Sequence, residues 1–212
     1  MEKKSKVIFF DFDGVLFNSL KALYKINKVA ANKIGRKISV KKNATLFQGN
    51  IHKNLKFFLN TSLAEHEEFL NIKKKIFFDY YNLGKVKMFD FTHKMLSILN
   101  NIASIYIITS APLESVKCLI DENHLNQYIT KSYSTNIGKA MILKEIMDLP
   151  QNKNCDFYFI TDTAGDISET VGINLKTIGV TWGFHSKKIL IEAKADYVVD
   201  NYRQILLILL SN

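Results

Sequence analysis

The sequence has little that would indicate a secreted, membrane-bound or disulfide-stabilised protein. Its two cysteines, Cys118 and Cys155, lie far apart and lack the spacing of a disulfide framework or a zinc site. No apolar run reaches the roughly 20 residues that a membrane-spanning helix needs. The apolar run after the charged first six residues is four residues long, which is too short for a signal peptide core. We therefore expect a protein of the reducing cytoplasm that does not act at a membrane.

The sequence does contain enough apolar material for a large core. Hydrophobic residues make up 47% of its 212 residues, which excludes global disorder. The length suits one domain of ordinary size with an insertion, or two small domains. Internal repeats and low-complexity linkers are missing. The composition does not indicate an oligomeric state.

The net charge of +9 is concentrated in one segment. Between residues 18 and 85, thirteen lysines and one arginine face four acidic residues, so this segment carries +10 and the rest carries −1. The segment is either an electrostatic unit that attracts anions or a solvated, lysine-rich surface. Nucleic-acid binding is disfavoured, because the charge lies mainly on helical faces and includes a single arginine, Arg36.

The hydrophobic pattern changes near Phe91. Before it, the pattern predicts helices over 19–34 and 62–82 and a less regular segment over 41–60. After it, strands and helices alternate, which is typical of a parallel sheet covered on both faces. The sequence therefore predicts a doubly wound α/β core, built from residues 1–17 and 86–212, with an all-helical insertion at residues 18–85. The predicted strands cover 7–10, 105–108, 128–133, 157–160, 177–180 and 197–199, and the later helices cover 92–101, 112–123, 139–147, 166–172, 188–193 and the C-terminal run.

Polar residues follow three of these apolar strands directly. They are Asp11 and Asp13, then Thr109 and Ser110, then Asp162. Because the carboxyl ends of parallel strands lie along one edge, we expect these side chains to converge there. Three carboxylates at one edge repel one another without a cation, and oxygen ligands without His or Cys favour Mg²⁺ over zinc.

A lysine could complete this group of residues. Lys139 begins a predicted helix after a polar turn and would supply a fixed positive charge. A carboxylate nucleophile, a metal, hydroxyl donors and a lysine together suit phosphoryl transfer. Simpler roles stay open for these residues: Asp162 and Asp166 as turn and helix-cap acids, Lys139 as a first-turn lysine, and Thr109 and Ser110 as caps of the following helix.

Four motifs resemble those of the haloacid dehalogenase superfamily, in its phosphatase branch. DFDGVLFNS (11–19) is similar to the first motif, ITS (108–110) to the second, and Gly138 with Lys139 to the third. TDTAGD (161–166) resembles the fourth motif, which carries two acids spaced by three residues. The first motif is specific, whereas the second and third become informative through their order and spacing.

Two later segments extend the resemblance over essentially the whole chain. GVTWGF (179–184) and ADYVVDN (195–201) resemble the closing segments of phosphoglycolate-phosphatase-like members. The insertion at residues 18–85 falls where the family places a mobile cap that selects the substrate. Gln48, Gly49 and His52 lie in a loop where relatives often contact substrate, although an ordinary loop is the simpler interpretation.

The resemblance implies a role for each catalytic position. Asp11 would be the nucleophile that forms an aspartyl-phosphate and would also bind Mg²⁺. Asp13 would protonate the leaving oxygen, then activate water, and would bind the metal through its backbone carbonyl. Thr109, helped by Ser110, would hold the phosphoryl group. Lys139 would neutralise charge on the nucleophile and the phosphate.

The resemblance also implies the remaining metal ligands. Asp162 would bind Mg²⁺ directly, and Asp166 would lie close by, binding directly or through water. Thr161 stands where the motif often has glycine, and we expect it to crowd the metal site slightly.

Asp13 separates several possible activities. Dehalogenases and phosphonate-cleaving members lack a carboxylate at this place, so both are disfavoured. The sequence predicts a phosphoric monoester hydrolase that uses Mg²⁺ and acts on a small phosphorylated metabolite, such as phosphoglycolate or a sugar phosphate. A phosphomutase shares all the motifs and remains an alternative, as does a non-catalytic binding protein that retains the fold.

Overall fold

The structure is a computed structural model that describes residues 5–49, 51–82 and 84–211. Within these residues the strands are β1 (Lys6–Phe10), β2 (Phe17–Asn18), β3 (Lys87–Met88), β4 (Ala103–Thr109), β5 (Lys131–Ser134), β6 (Asp156–Thr161), β7 (Lys176–Val180) and β8 (Tyr197–Val199). The helices are α1 (Leu20–Lys33), α2 (Val40–Thr45), α3 (Ile51–Leu59), α4 (Leu63–Asn82), α5 (Thr92–Leu99), α6 (Leu113–Glu122), α7 (Ala140–Met147), α8 (Ala164–Glu169), α9 (Lys187–Glu192) and α10 (Tyr202–Leu210). Short 3₁₀ helices cover Leu46–Gln48 and Pro150–Asn152.

The central sheet has six strands in the order β5-β4-β1-β6-β7-β8, and every neighbouring pair is parallel. The strand order runs to one side of β1 for β4 and β5, and to the other side for β6, β7 and β8. The carboxyl end of β1 is therefore the point where the strand order reverses. Open α/β sheets bind their ligands at such a point.

Both faces of the sheet are buried, which explains the unbroken apolar sequence of β1. Ile8 and Phe10 belong to the larger apolar cluster, with residues of α5, α6 and α10. Val7 and Phe9 point to the opposite face and pack in a second cluster with residues of α7. The predicted doubly wound α/β fold with a parallel sheet is confirmed.

The helical insertion packs around an apolar cluster of its own. Its described residues between β2 and β3 form α1 to α4 and the 3₁₀ helix at Leu46–Gln48, with no strand among them. β2 and β3 pair antiparallel at the base of the insertion, so its two connections to the sheet lie side by side. No helix within the described residues is both long and apolar enough to cross a bilayer. The buried residues of the insertion's cluster are Ala30, Ala31, Ile38, Leu46, Leu55, Leu59 and Phe69.

The structure differs from the sequence prediction in several places. Helix α8 begins at Ala164 and ends at Glu169, whereas a helix over 166–172 was predicted, and the short strands β2 and β3 were not predicted. The segment 41–60 is more regular than predicted, because α2 and α3 lie within it or overlap it. Ser39 caps α2 by accepting a hydrogen bond of 3.1 Å from the N–H of Lys42. The third predicted strand, placed at 128–133, is β5 at Lys131–Ser134. Tyr128 instead closes a turn, since its N–H donates to the Leu125 carbonyl at 2.9 Å.

Candidate active site

Asp11 is the first residue after β1, and the fold holds both its backbone and its side chain. Its N–H donates to the carbonyl of Ile160 on β6 at 2.9 Å. Its Oδ1 accepts a hydrogen bond of 2.7 Å from the N–H of Phe12 and lies 2.9 Å from Nζ of Lys139. Burial raises the pKa of Asp11 to about 7, although Lys139 opposes the rise. Both donors contact the same carboxylate oxygen, so neither of them occupies Oδ2.

Asp13 lies in the turn after β1, where a tyrosine of the helical insertion contacts its carboxylate. Gly14 follows with φ of +78°, a backbone conformation that glycine adopts without strain. The Tyr81 hydroxyl, on α4, donates a hydrogen bond to Oδ1 of Asp13. Burial raises the pKa of Asp13 above its usual value, and the Tyr81 hydrogen bond acts against this rise. The sequence analysis did not identify Tyr81 as a site residue, because its position on the apolar side of a helix indicates only packing.

Lys139 immediately precedes α7, and its ammonium group joins two carboxylates. Nζ lies 2.9 Å from Asp11 and 2.7 Å from Asp166, and the Lys139 side chain is only 4% exposed. Burial disfavours the charged lysine, but Asp11 and Asp166 outweigh burial and raise the pKa of Lys139. The Lys139 N–H donates to Glu169 at 2.8 Å. Helix α8, which carries Asp166 and Glu169, therefore holds Lys139 by its backbone and its side chain.

The carboxylate of Asp166 contacts two side chains of the site, those of Lys139 and Thr161. Its Oδ2 lies 2.7 Å from Nζ of Lys139 and accepts a hydrogen bond of 2.6 Å from the Thr161 hydroxyl. Thr161, which we expected to crowd a metal site, is thus a hydrogen-bond partner of Asp166. These contacts make Asp166 a group that positions Lys139, and its proximity to a metal stays a prediction.

Asp162 follows β6 and is completely buried. Its Oδ2 accepts a hydrogen bond of 2.7 Å from the N–H of Phe184, whereas its Oδ1 has no partner. Burial and the nearby Asp11 raise the pKa of Asp162 well above its usual value. Gly14 and Gly183 both approach this carboxylate so closely that a Cβ at either position would collide with it. The fold therefore makes room for a buried carboxylate with one unsatisfied oxygen.

The carboxylate oxygens of Asp11 and Asp162 fit a magnesium ion better than a metal that needs many protein ligands. Among the described residues, no group of three or more His, Cys, Asp or Glu side chains is arranged to hold a metal. Mg²⁺ is usually bound through one or two carboxylates, several waters and substrate phosphates. Asp11 and Asp162 supply two carboxylates within electrostatic reach of each other. The orphaned oxygen of Asp162 is the feature that a cation would satisfy.

The two predicted phosphate-binding hydroxyls lie after β4. Thr109 is buried, and its Oγ1 accepts a hydrogen bond of 3.0 Å from the N–H of Ala111, which leaves its own proton for another acceptor. Ser110 is exposed. Both residues line the same cleft as Asp11 and Lys139.

This cleft lies between the sheet edge and the helical insertion, and its volume is about 70 Å³. Of the loop residues singled out from sequence, Gly49 lines the cleft, and Gln48 is exposed and is not among the lining residues. The side chain of His52 lies outside the described part of the structure. The sheet side of the cleft includes Asp11, Asp13, Thr109, Ser110, Lys139 and Asp166, and the insertion side includes Leu23, Phe47, Gly49, Ile51, Lys73 and Phe77.

The insertion contacts the sheet side directly above the cleft. The rings of Phe47 and Phe184 have centroids 4.1 Å apart. Gly165 on α8 faces the Gly49 carbonyl so closely that a Cβ on Gly165 would lie 2.7 Å from that oxygen. In this arrangement the insertion encloses the cleft.

A sequence model of haloacid dehalogenase-like hydrolases matches residues 8–180, which is most of the chain. The chain belongs to this family. The match extends from β1 to β7 and includes every predicted site residue.

Individual relatives in this hydrolase family agree with the resemblance. A phosphoglycolate phosphatase from Photobacterium profundum is 21% identical over 95% of this chain and 94% of its own length. The solved structure of "a predicted phosphatase" from Clostridium acetobutylicum has a TM-score of 0.84 and 20% identity, covering 99% of this chain and 100% of that one. That of "a predicted phosphoglycolate phosphatase" from Haemophilus somnus 129PT has a TM-score of 0.77 and 16% identity, covering 98% and 99%. At these identities the two solved structures confirm the fold alone.

Proposed function

We propose that this protein is a Mg²⁺-dependent phosphatase that hydrolyses a small phosphomonoester through an aspartyl-phosphate on Asp11. The observation that carries the proposal is the position of Asp11 at the carboxyl end of the central strand. There it is held by Phe12 and Lys139 through one oxygen, in the same cleft as a second carboxylate, Asp13.

In the first step, Asp11 attacks the phosphorus atom and the bond to the leaving-group oxygen breaks. The fixed contacts on Oδ1 orient the carboxylate, so the attacking oxygen needs little reorganisation. Lys139 offsets the negative charge that accumulates on the nucleophile and the phosphoryl group. Thr109 and Ser110, from the end of β4, donate to the phosphoryl oxygens.

Asp13 transfers protons in both halves of the reaction. As an acid it protonates the leaving oxygen, and as a base it then takes a proton from the water that hydrolyses the aspartyl-phosphate. Burial raises the pKa of Asp13, which favours the protonated form that a general acid needs. The Tyr81 hydrogen bond keeps this carboxylate in one orientation.

Asp11, Asp162 and the backbone carbonyl of Asp13 would hold the Mg²⁺, with Asp166 close by. When bound, the ion supplies positive charge that keeps the carboxylates ionised and polarises the phosphoryl oxygens. The unsatisfied, buried oxygen of Asp162 supports this assignment.

We propose residues 18–85 as the cap and residues 1–17 and 86–212 as the catalytic core. The apolar cluster formed by insertion residues and the paired strands at its base support this division, while other residues of α1 and α4 pack into the large cluster of the core. The enclosed cleft favours a compact substrate of the phosphoglycolate or sugar phosphate type, and the +10 charge of the insertion favours an anion. Cys118 and Cys155 both lie in the described part of the chain and are not joined in a disulfide, which supports a cytoplasmic location.

The experiment that tests this function is phosphate release from a panel of phosphorylated metabolites, with and without Mg²⁺. Turnover by the wild type should vanish with a chelator and return with Mg²⁺. Asp11→Asn should abolish turnover, because an amide does not form the acyl-phosphate, and Asp13→Asn should lose on the order of 10²-fold or more. Circular dichroism of both variants checks that the fold is intact.

Three results would contradict the proposal. Wild-type rates in Asp11→Asn would exclude the covalent route. Isomerisation of a sugar phosphate without free phosphate would favour the phosphomutase. No turnover of any phosphomonoester with Mg²⁺ present would favour a binding protein.

A further inference from the structure

Among the described side chains of the helical insertion, one lysine lines the active-site cleft. Lys73, on α4, is half-buried, whereas its neighbours Lys74 and Lys75 are exposed. Its insertion-side neighbours in the cleft are apolar and include Phe47 and Phe77. The charge of Lys73 is therefore placed beside apolar side chains.

Lys73 and Lys139 both line the cleft, but they differ in their partners. Lys139 forms ion pairs with Asp11 and Asp166 at 2.9 and 2.7 Å. For Lys73, no carboxylate of the described residues forms an ion pair within 4.0 Å. Partial burial of an ammonium that has only a distant counter-charge is costly: burial lowers the pKa of Lys73 to about 8, and the charge of Asp13 opposes this fall without cancelling it. An anionic ligand would remove that cost.

The position of Lys73 relative to Asp13 indicates which part of a substrate it faces. Lys73 lies close enough to Asp13 for the two charges to interact. In the proposed mechanism Asp13 protonates the leaving-group oxygen, so the groups around Asp13 on the insertion side face the leaving group. The phosphoryl group lies on the sheet side, with Thr109 and Lys139.

From this placement we infer that Lys73 binds a second anionic group, carried on the leaving group next to the phosphoester oxygen. The inference rests on the proposed phosphatase function and narrows its substrate class to short phosphomonoesters with a carboxylate on the leaving group. Lys73 is then the specificity-determining residue of the insertion. Lys74 and the remaining surface lysines contribute only a general attraction for anions.

A pair of matched substrates tests the inference. Phosphoglycolate and 2-hydroxyethyl phosphate have the same chain length, but the second carries a hydroxymethyl group in place of the carboxylate. A hydrogen bond to a charged group contributes about 1.5–3 kcal/mol, which is roughly a 10- to 150-fold change in kcat/KM. Lys73→Met should lower kcat/KM for phosphoglycolate by about that factor, mainly through KM, and should change the value for 2-hydroxyethyl phosphate little.

Two further variants serve as controls. Lys75→Met makes the same change in net charge on an exposed part of α4, and it should leave the ratio between the two substrates unchanged. Lys73→Gln should reproduce the effect of Lys73→Met if the latter is poorly folded. Calorimetric titration of phosphoglycolate into Asp11→Asn, with and without Lys73→Met, measures binding without turnover, and the double variant should bind at least 10-fold more weakly.

Each other outcome overturns the inference in a distinguishable way. If Lys73→Met slows both substrates equally through kcat, Lys73 acts through Asp13 and not on the substrate. A selective loss in Lys74→Met instead would place the anion in the wider groove outside the cleft, which Lys74 and Lys117 line together with Lys73. If the wild type hydrolyses p-nitrophenyl phosphate but does not prefer phosphoglycolate, the phosphatase function stands and the role of Lys73 fails. If it hydrolyses no phosphomonoester, both fail.

Discussion

Replacing Lys139 by methionine removes a buried cation while keeping a side chain of similar length. In the structure Nζ of Lys139 lies 2.9 Å from Asp11 and 2.7 Å from Asp166, and the side chain is 4% exposed. Lys139→Met leaves both carboxylates without this partner in a buried site. Breaking a buried ion pair by removing one partner costs about 3–5 kcal/mol, which is a large part of the 5–15 kcal/mol typical of a folded protein.

The pH dependence of this cost follows from Asp11. With Lys139 present, the pKa of Asp11 is about 7, raised by burial from an ordinary value near 4. Without Lys139 it should rise further, so the folded variant takes up a proton that the unfolded chain does not hold. Protonation of Asp11 neutralises the unpaired charge and so stabilises the folded variant. This stabilisation is lost as the pH rises through the folded-state pKa of Asp11. The free energy of unfolding of Lys139→Met should therefore fall more steeply between pH 6 and pH 8 than that of the wild type.

Thermal unfolding in the presence of a chelator measures this effect. At about 2–4 °C per kcal/mol for a chain of this size, Lys139→Met should lower Tm by roughly 6–20 °C at pH 8 and by less at pH 6. Lys144→Met, an exposed change on the same helix, is the matched control. If the two variants have the same Tm at both pH values, the ion pairs of Lys139 contribute nothing to stability and the reasoning is wrong.

Two other perturbations test the site. Mg²⁺ at 100 times its Kd should raise the free energy of unfolding of the wild type by about 2.7 kcal/mol. The gain for Asp162→Asn, measured by thermal unfolding, should be much smaller. An equal gain in both proteins would exclude Asp162 as a ligand. Tyr81→Phe should cost about 1–3 kcal/mol of stability and lower kcat more than KM, because the partly buried Asp13 carboxylate loses its hydroxyl donor. Tyr80→Phe on the same helix is the control, and equal effects of the two changes would exclude a special role for Tyr81.

The site residues at the ends of strands could be predicted because the sequence pattern that identifies them is local. A buried parallel strand requires an apolar run, and polar residues directly after that run can only lie at the carboxyl edge. Asp11, Thr109 and Asp162 were identified in this way. The pairing of Lys139 with Asp11 joins residues 128 positions apart, and the resemblance to a known family was needed to expect it.

The residues that the insertion contributes to the active site could not be predicted, because they depend on how α4 packs above the sheet edge. The periodicity of α4 places Tyr81 on the apolar side, and it does not show that the hydroxyl reaches Asp13. Lys73 is one of three consecutive lysines, and sequence alone does not distinguish the one that lines the cleft. Helices α2 and α3 were missed, and length is not the reason, since α5 and α7 were predicted although both are shorter than α3.

The central place of β1 in the sheet has a consequence for folding during synthesis. Val7 pairs with Ser104 on one side and with Phe157 on the other, so the second partner is made 150 residues later. At about 5–20 residues per second, the apolar segment waits roughly 8–30 s on the ribosome before both neighbours exist. The contacts of α1 to α4 span much shorter stretches of chain and become available earlier. The helical insertion is then the first part that can fold, and the edge that holds Asp11 and Asp162 is among the last to form.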